Sequence, residues 1–217
     1  MVASDVAIND DIINLIIPDD MSDEPSFKAY IEAKVYDRDG RLVNFHRQPM
    51  RSLTQYFLVL MSALLAGTFS SSNNNVAQPL LTSILGLPST ISNSSHCAGI
   101  NWNFIIQVGS GSQPFSVNLN SLAAPIANGS GQGQLIYTGW NVTYSQATHY
   151  YTISVYNVTS STITVTEIGL VGTISVSCGG CSFSPVTFLL SYDTFSSPIS
   201  IPSNGLATFV ISISFSG

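Results

Sequence analysis

The chain has 217 residues, a net charge of −6 and 45% hydrophobic residues, enough for one domain with a well-buried core, or a domain plus an arm. All six Lys and Arg lie between Lys28 and Arg51, ten of the twelve acids lie between Asp5 and Asp39, and beyond Arg51 only Glu167 and Asp193 are charged. Ordinary soluble proteins are about a quarter charged; the later chain lacks the clustered cations that phosphates require, which excludes nucleic-acid binding there.

Residues 1–26 read as an acidic arm. Its one apolar segment, Ile12, Ile13, Leu15, Ile16 and Ile17, is a candidate strand for pairing with a sheet of this molecule or of a neighbour. The amino terminus has neither the basic region nor the uninterrupted apolar run of a secretory signal.

From Phe27 the residues Phe27, Ala29, Ile31, Ala33 and Val35 alternate with Lys28, Tyr30, Glu32, Lys34 and Tyr36. This period of two predicts a half-buried strand, and DRDG turns it into RLVNFHR, giving a β-hairpin with a charged outer face. Residues 51–66 follow as a helix, with Leu53, Tyr56, Phe57, Leu60, Met61 and Leu64 on one face at helical spacing and Gly67 as the stop. The opposite face is also apolar, which implies burial on more than one side. The uninterrupted apolar run is about a dozen residues, whereas a bilayer takes about twenty, so no transmembrane span is expected.

After a Ser-, Asn- and Pro-rich stretch to residue 99, strand signals return at short intervals: INWNFIIQV, QLIYTGWNVTYS, HYYTISVYNV, TITVTEIGLVGTISVS, VTFLLSYDTF and LATFVISISF. GSGSQP, NGSGQG, TSS, CGGC and SSPISIPSNG separate them and read as turns or loops. The fold class is therefore mainly β. Residues 27–217 are expected to form one antiparallel β-sandwich, jelly-roll-like, with the amino-terminal hairpin and one buried helix covering an edge or an end. A surface so poor in carboxylates has little to lose when acid protonates them.

Few groups offer chemistry. Glu167 and Asp193 sit inside apolar strands and are expected to satisfy backbone or turn donors. No nucleophile elbow, zinc helix, Walker loop or dinucleotide fingerprint occurs, so neither catalysis nor a metal or cofactor is expected. Four sequons, at Asn93, Asn128, Asn141 and Asn157, are candidate N-glycosylation sites; chance is the competing explanation in a chain so rich in Asn, Ser and Thr. Cys178 and Cys181 flank Gly-Gly, the centre of a tight hairpin, and would face each other either as a disulfide or as free thiols. The cluster Trp140, Tyr144, His149, Tyr150, Tyr151 and Tyr156 reads as cross-strand packing in preference to sugar stacking.

In order of segments, the chain resembles structural proteins, of capsid, turret or vertex, and tail type, from viruses of thermophilic archaea. The resemblance rests on AKVYDRDGRLV, RSLTQYFLVLMSALL, IIQVGSGSQP, QLIYTGW, ITVTEIGLVG and above all FLLSYDTFSSPISIPSNGLATFVISISF, and spans about Phe27 to Gly217. The inserted SVSCGGCSFSP, and NLNSL in place of a more acidic stretch, depart from the pattern. The resemblance implies a virion structural protein, assembled in the host cytoplasm and later exposed to a hot, acidic medium. Its expected partners are its own copies in a ring and other virion proteins. The alternatives are a cellular appendage subunit that exchanges donor strands and an attachment protein for host surface glycans.

Overall fold

The computed structural model describes residues 26–58, 97–145, 147–178, 181–182 and 186–216. The arm residues Ile12, Ile13, Leu15, Ile16 and Ile17, the helix positions Leu60, Met61 and Leu64, and the sequon at Asn93 lie outside them.

The chain is mainly β, and its sheets are antiparallel. The alternating segment forms β1 (Ser26–Tyr36), and β2 (Leu42–Pro49) returns along it as the expected hairpin. Gly40 in the intervening turn has φ +77°, a backbone region that glycine adopts without strain. Then follow β3 (Cys97–Gly109), β4 (Ile136–Ser145), β5 (Thr148–Tyr156), β6 (Ile163–Cys178), β7 (Cys181–Ser182), β8 (Val186–Ile201) and β9 (Leu206–Ser216). One sheet has the order β2-β1-β9-β5-β4. In the other, β6 is flanked by β3 on one side and by β7 and β8 on the other.

The sheets bury a shared core that includes Ile31, Val35, Ile106, Ile168, Phe188 and Phe209. Every second residue of β1 enters it, because strand side chains alternate between faces. A smaller cluster, Leu122, Val171, Leu189 and Tyr192, lies apart from it, beneath the connection between β3 and β4. Close packing explains Gly172 within β6: a Cβ there would lie 2.5 Å from the Phe188 ring.

Two expectations are corrected. The helix occupies residues 55–58 of the described chain and does not begin at residue 51. Residues 51–54 run beside β8, where Leu53 bridges Ser191, Tyr192 donates its N–H to the Ser52 carbonyl at 3.0 Å, and the Thr54 N–H reaches the Leu190 carbonyl at 3.0 Å. Backbone groups spent on a strand cannot close helical turns, so the helix starts after Thr54. Leu53 is therefore extended; it, Tyr56 and Phe57 pack on the shared core half-buried.

The other correction concerns SSPISI, read as loop, which instead completes β8. Ile199 and Ile201 pair with Val165 and Ile163 and are buried. Pro198 falls in the register shift between Val165 and Glu167, and a bulge tolerates a residue that lacks an N–H.

Candidate assembly surface

The outward face of the five-stranded sheet changes character from one edge to the other. Successive rows across β2, β1, β9, β5 and β4 read Phe45–Lys34–Thr208–Ser154–Thr138, then Arg47–Glu32–Val210–Thr152–Asn141. In these rows the ions therefore collect on the β1–β2 hairpin, while Thr and Ser predominate toward β4. Ser154 and Thr208 lie 3.3 Å apart, and Thr148 and Ser214 2.9 Å apart, as hydrogen-bonded hydroxyl pairs. The segregation of charge along the sequence thus becomes a segregation across one sheet.

The hairpin edge combines apolar exposure with fixed charge. Leu42, Val43 and Phe45 are each more than half exposed, and no further strand lies beside β2 among the described residues. The Lys34 ammonium sits 5.9 Å from the Phe45 ring centre and forms a 2.7 Å ion pair with Glu32, which holds its pKa up. The Arg47 guanidinium lies 4.7 Å from the Tyr30 ring centre. In the turn, Arg41 reaches Asp39 at 2.6 Å, and the Asp37 carboxylate accepts the backbone N–H groups of Asp39 and Arg41. At its far end β2 is fastened: the Gln48 side chain donates to the Thr194 carbonyl and accepts the Ser196 N–H. The open part of the edge is therefore its first half, held rigid by its second.

The opposite edge, β4, carries aromatic groups of a different kind. Trp140 stacks on Tyr151 at 6.4 Å, and Tyr151 meets Phe104 edge-on at 6.4 Å, so these rings pack against the shared core. Tyr144 and His149 form a separate pair at 6.2 Å, with Tyr144 79% exposed. Tyr150 and Tyr156 occupy the outward rows, opposite Ser212 and Leu206. The six aromatic residues form no single platform.

The two carboxylates of the later chain are buried and bonded to backbone. Glu167 accepts N–H groups from Gly111 (3.2 Å), Ala123 (3.0 Å) and Ala124 (2.7 Å). It thereby fastens the β3–β4 connection onto β6, with help from the Tyr192 hydroxyl, which accepts the Gln113 N–H at 3.0 Å. Asp193 receives the Arg51 N–H at 3.2 and 3.4 Å, and burial pushes its carboxyl up to about 7. Tyr137, whose hydroxyl donates to the Ile126 carbonyl at 3.0 Å, is pushed up to about 12 by burial. Both acids thus serve structure, as residue type and strand context suggested; sequence gave no sign of which amides they would meet.

The candidate sequons separate by environment. Asn128 and Asn141 are exposed. Asn157 is not an available acceptor in the folded chain, because it is completely buried and its amide is fully engaged. Its Nδ2 donates to the carbonyls of Ser161, Ile201 and Pro202 at 2.8, 3.0 and 3.0 Å, and its Oδ1 accepts the N–H and hydroxyl of Thr159. The sequon's own threonine belongs to this knot, which ties the β5–β6 and β8–β9 connections together. Cys178 and Cys181 stand opposite each other in the β6–β7 hairpin, as their spacing predicted. Among the described residues no group of three His, Cys, Asp or Glu could hold a metal, and no helix is long and apolar enough to cross a membrane. No family model, curated protein or solved structure matches the chain.

Proposed function

We propose that this chain is a structural subunit of an archaeal virus particle, in a turret or vertex, capsid, or tail or nozzle, and that it acts by assembly and not by catalysis. The observation that carries the proposal is the β2 edge, where Leu42, Val43 and Phe45 stand exposed among the charges of the β1–β2 hairpin, while the outward face toward β4 carries hydroxyl groups. Exposed apolar edge strands are templates for pairing with another chain. In this reading the hairpin edge meets copies of the chain in a ring and other virion proteins. The hydroxyl-covered face, indifferent to acid, meets the medium outside the cell after assembly in the host cytoplasm.

In this reading the apolar segment Ile12 to Ile17 is the segment that pairs there, and the charge of its flanking Asp10, Asp11, Asp19 and Asp20 complements Lys34, Arg41 and Arg47. Light scattering tests this directly. The full chain should form a closed oligomer, and both removal of residues 1–25 and Phe45→Asp should leave folded monomers. A full chain that remained a monodisperse monomer at high concentration would remove the proposal's basis. Locating the chain in a map of purified source particles separates a virion subunit from a cellular appendage subunit that uses the same strand addition.

A second reading has its own observation. The exposed Tyr144 ring beside His149 on β4 suits stacking on a host surface glycan. A glycan array probed with the wild type and Tyr144→Ala tests it, and binding insensitive to the substitution would remove this surface from consideration.

A further inference from the structure

The register of β6 gathers all three cysteines of the chain at one end of the second sheet. Cys178 stands opposite Cys97 of β3 on one side and opposite Cys181 of β7 on the other. The two positions differ in kind, and the hydrogen-bond phase of β6 tells them apart.

Val108 turns both backbone groups away from β6. Its carbonyl accepts the Ile126 N–H at 2.9 Å, and its own N–H donates to the Tyr137 hydroxyl at 3.3 Å. Its pairing with Ile168 is therefore a non-hydrogen-bonded position of the ladder. The other neighbour gives the same phase: Tyr192, opposite Gly169, sends its N–H to the Ser52 carbonyl and not to β6. Between β3 and β6 the register runs unshifted from Glu167 to Ser177. Alternation in steps of two from Ile168 makes Cys178 a non-hydrogen-bonded partner on the β3 side. Its own N–H and C=O then face Cys181, as closing a two-residue connection requires. The register shift lies between Cys97 and Gly99, so Ala98 is the extra residue and Cys97 keeps the place opposite Cys178.

Opposed Cα atoms are about 4.5 Å apart at a non-hydrogen-bonded position and about 5.5 Å apart at a hydrogen-bonded one. Cβ atoms are correspondingly closer at the former, and a disulfide needs them about 3.5–4.5 Å apart. We propose that Cys178 forms a disulfide with Cys97, joining β3 to β6, and that Cys181 is left as a free thiol.

The oxidant is a small-molecule disulfide. One cysteine thiolate attacks it and expels half as thiol; the second cysteine thiolate then attacks the mixed disulfide and expels the other half. Two protein thiols lose two electrons and two protons, and one small disulfide becomes two thiols. The bond ties the point where the chain enters β3 to the far end of β6, enclosing a much longer loop than a Cys178–Cys181 bond and so constraining the unfolded chain more.

The test uses the full chain equilibrated with a mixture of reduced and oxidised glutathione, quenched in acid to stop exchange, then unfolded and alkylated without reductant and digested with pepsin, since no Lys or Arg follows Arg51. The expected map contains a linked Cys97–Cys178 peptide and a single alkylated thiol at Cys181. Cys181→Ser should keep the wild-type reduction midpoint, and Cys97→Ser should lose it. A linked Cys178–Cys181 peptide, three alkylated cysteines, a Cys97→Ser chain with an unchanged midpoint, or stoichiometric zinc that a chelator removes would each overturn the proposal.

Discussion

The Asp193 carboxylate, on β8, accepts the backbone N–H of Arg51 with both oxygens, and this contact fastens the start of the 51–54 segment to the second sheet. Burial outweighs the hydrogen bonds from Arg51 and Ser52 and raises the carboxyl from 3.8 to about 7. Between roughly pH 4 and pH 7 the folded chain thus holds a proton that the unfolded chain has released. The stability this group contributes is complete below that window and is lost as pH rises through it. We expect Asp193→Asn to reduce the decline in stability between acid and neutral pH by on the order of 4 kcal/mol. Denaturant melts of both proteins across the window measure the difference, and parallel profiles would refute it.

Glu167→Gln should be costly although it preserves shape. Three backbone N–H groups converge on the carboxylate, and a carboxamide presents one oxygen and an NH2 that confronts donors. A loss of about 2–4 kcal/mol is expected. Hydrogen exchange should accelerate at Gly111, Ala123 and Ala124, while the amides of β1 and β9 keep their wild-type order of protection. Unchanged exchange at those three amides would show that other contacts hold the connection.

Asn157→Ala removes the amide that serves two connections at once: the Ile201 carbonyl loses the bond from Nδ2, the Pro202 carbonyl keeps only the Gly205 N–H and the Ser161 carbonyl only the Thr159 hydroxyl. A loss of roughly 2–4 kcal/mol is expected by thermal melting. When the chain is produced in a glycosylating host, intact mass and peptide mapping should find Asn157 unmodified in folded protein. A glycan there would contradict the closed knot.

Gly172→Ala places a methyl group where the Phe188 ring now lies. Overpacking of this kind costs about 1–3 kcal/mol. Because Phe188 also contacts Tyr56, with ring centres 5.9 Å apart, the displacement should reach the helix. Phe188→Leu introduced together with Gly172→Ala should recover part of the loss; a double variant no more stable than the single one would show that the clash lies elsewhere.

The strands were legible because their cause is local. Alternation from Phe27 to Val35 specifies β1, and DRDG specifies its turn. The run ITVTEIGLVG falls wholly within β6 in spite of two glycines. The helix start was misplaced because hydrophobic spacing marks Leu53 as helical, whereas the backbone groups of residues 52–54 are drawn to residues 190–192, a competition no local window contains. SSPISI was misread for the related reason that Pro and Ser signal a turn, while Ile199 and Ile201 have partners more than thirty residues upstream. Of the candidate surface, composition revealed the separation of charge, and β-pairing showed that it crosses one sheet. Asn157 marks the limit most clearly: a sequon is three residues of sequence, and its accessibility is decided by carbonyls more than forty residues away.

Strand β1 pairs along its whole length with β9, from Ser26 opposite Ser216 to Tyr36 opposite Leu206. The β1–β2 hairpin, made before the other described strands, therefore has no place in its sheet until β9 has been synthesised. Pairing of such long range is slow, because the entropy of closing the loop is lost before any contact repays it. During synthesis the apolar face of β1, carrying Ile31 and Val35, waits without its partner and is most exposed to premature association. Once β9 is in place, β1 is held between β2 and β9 and can be withdrawn only by opening ladders on both sides.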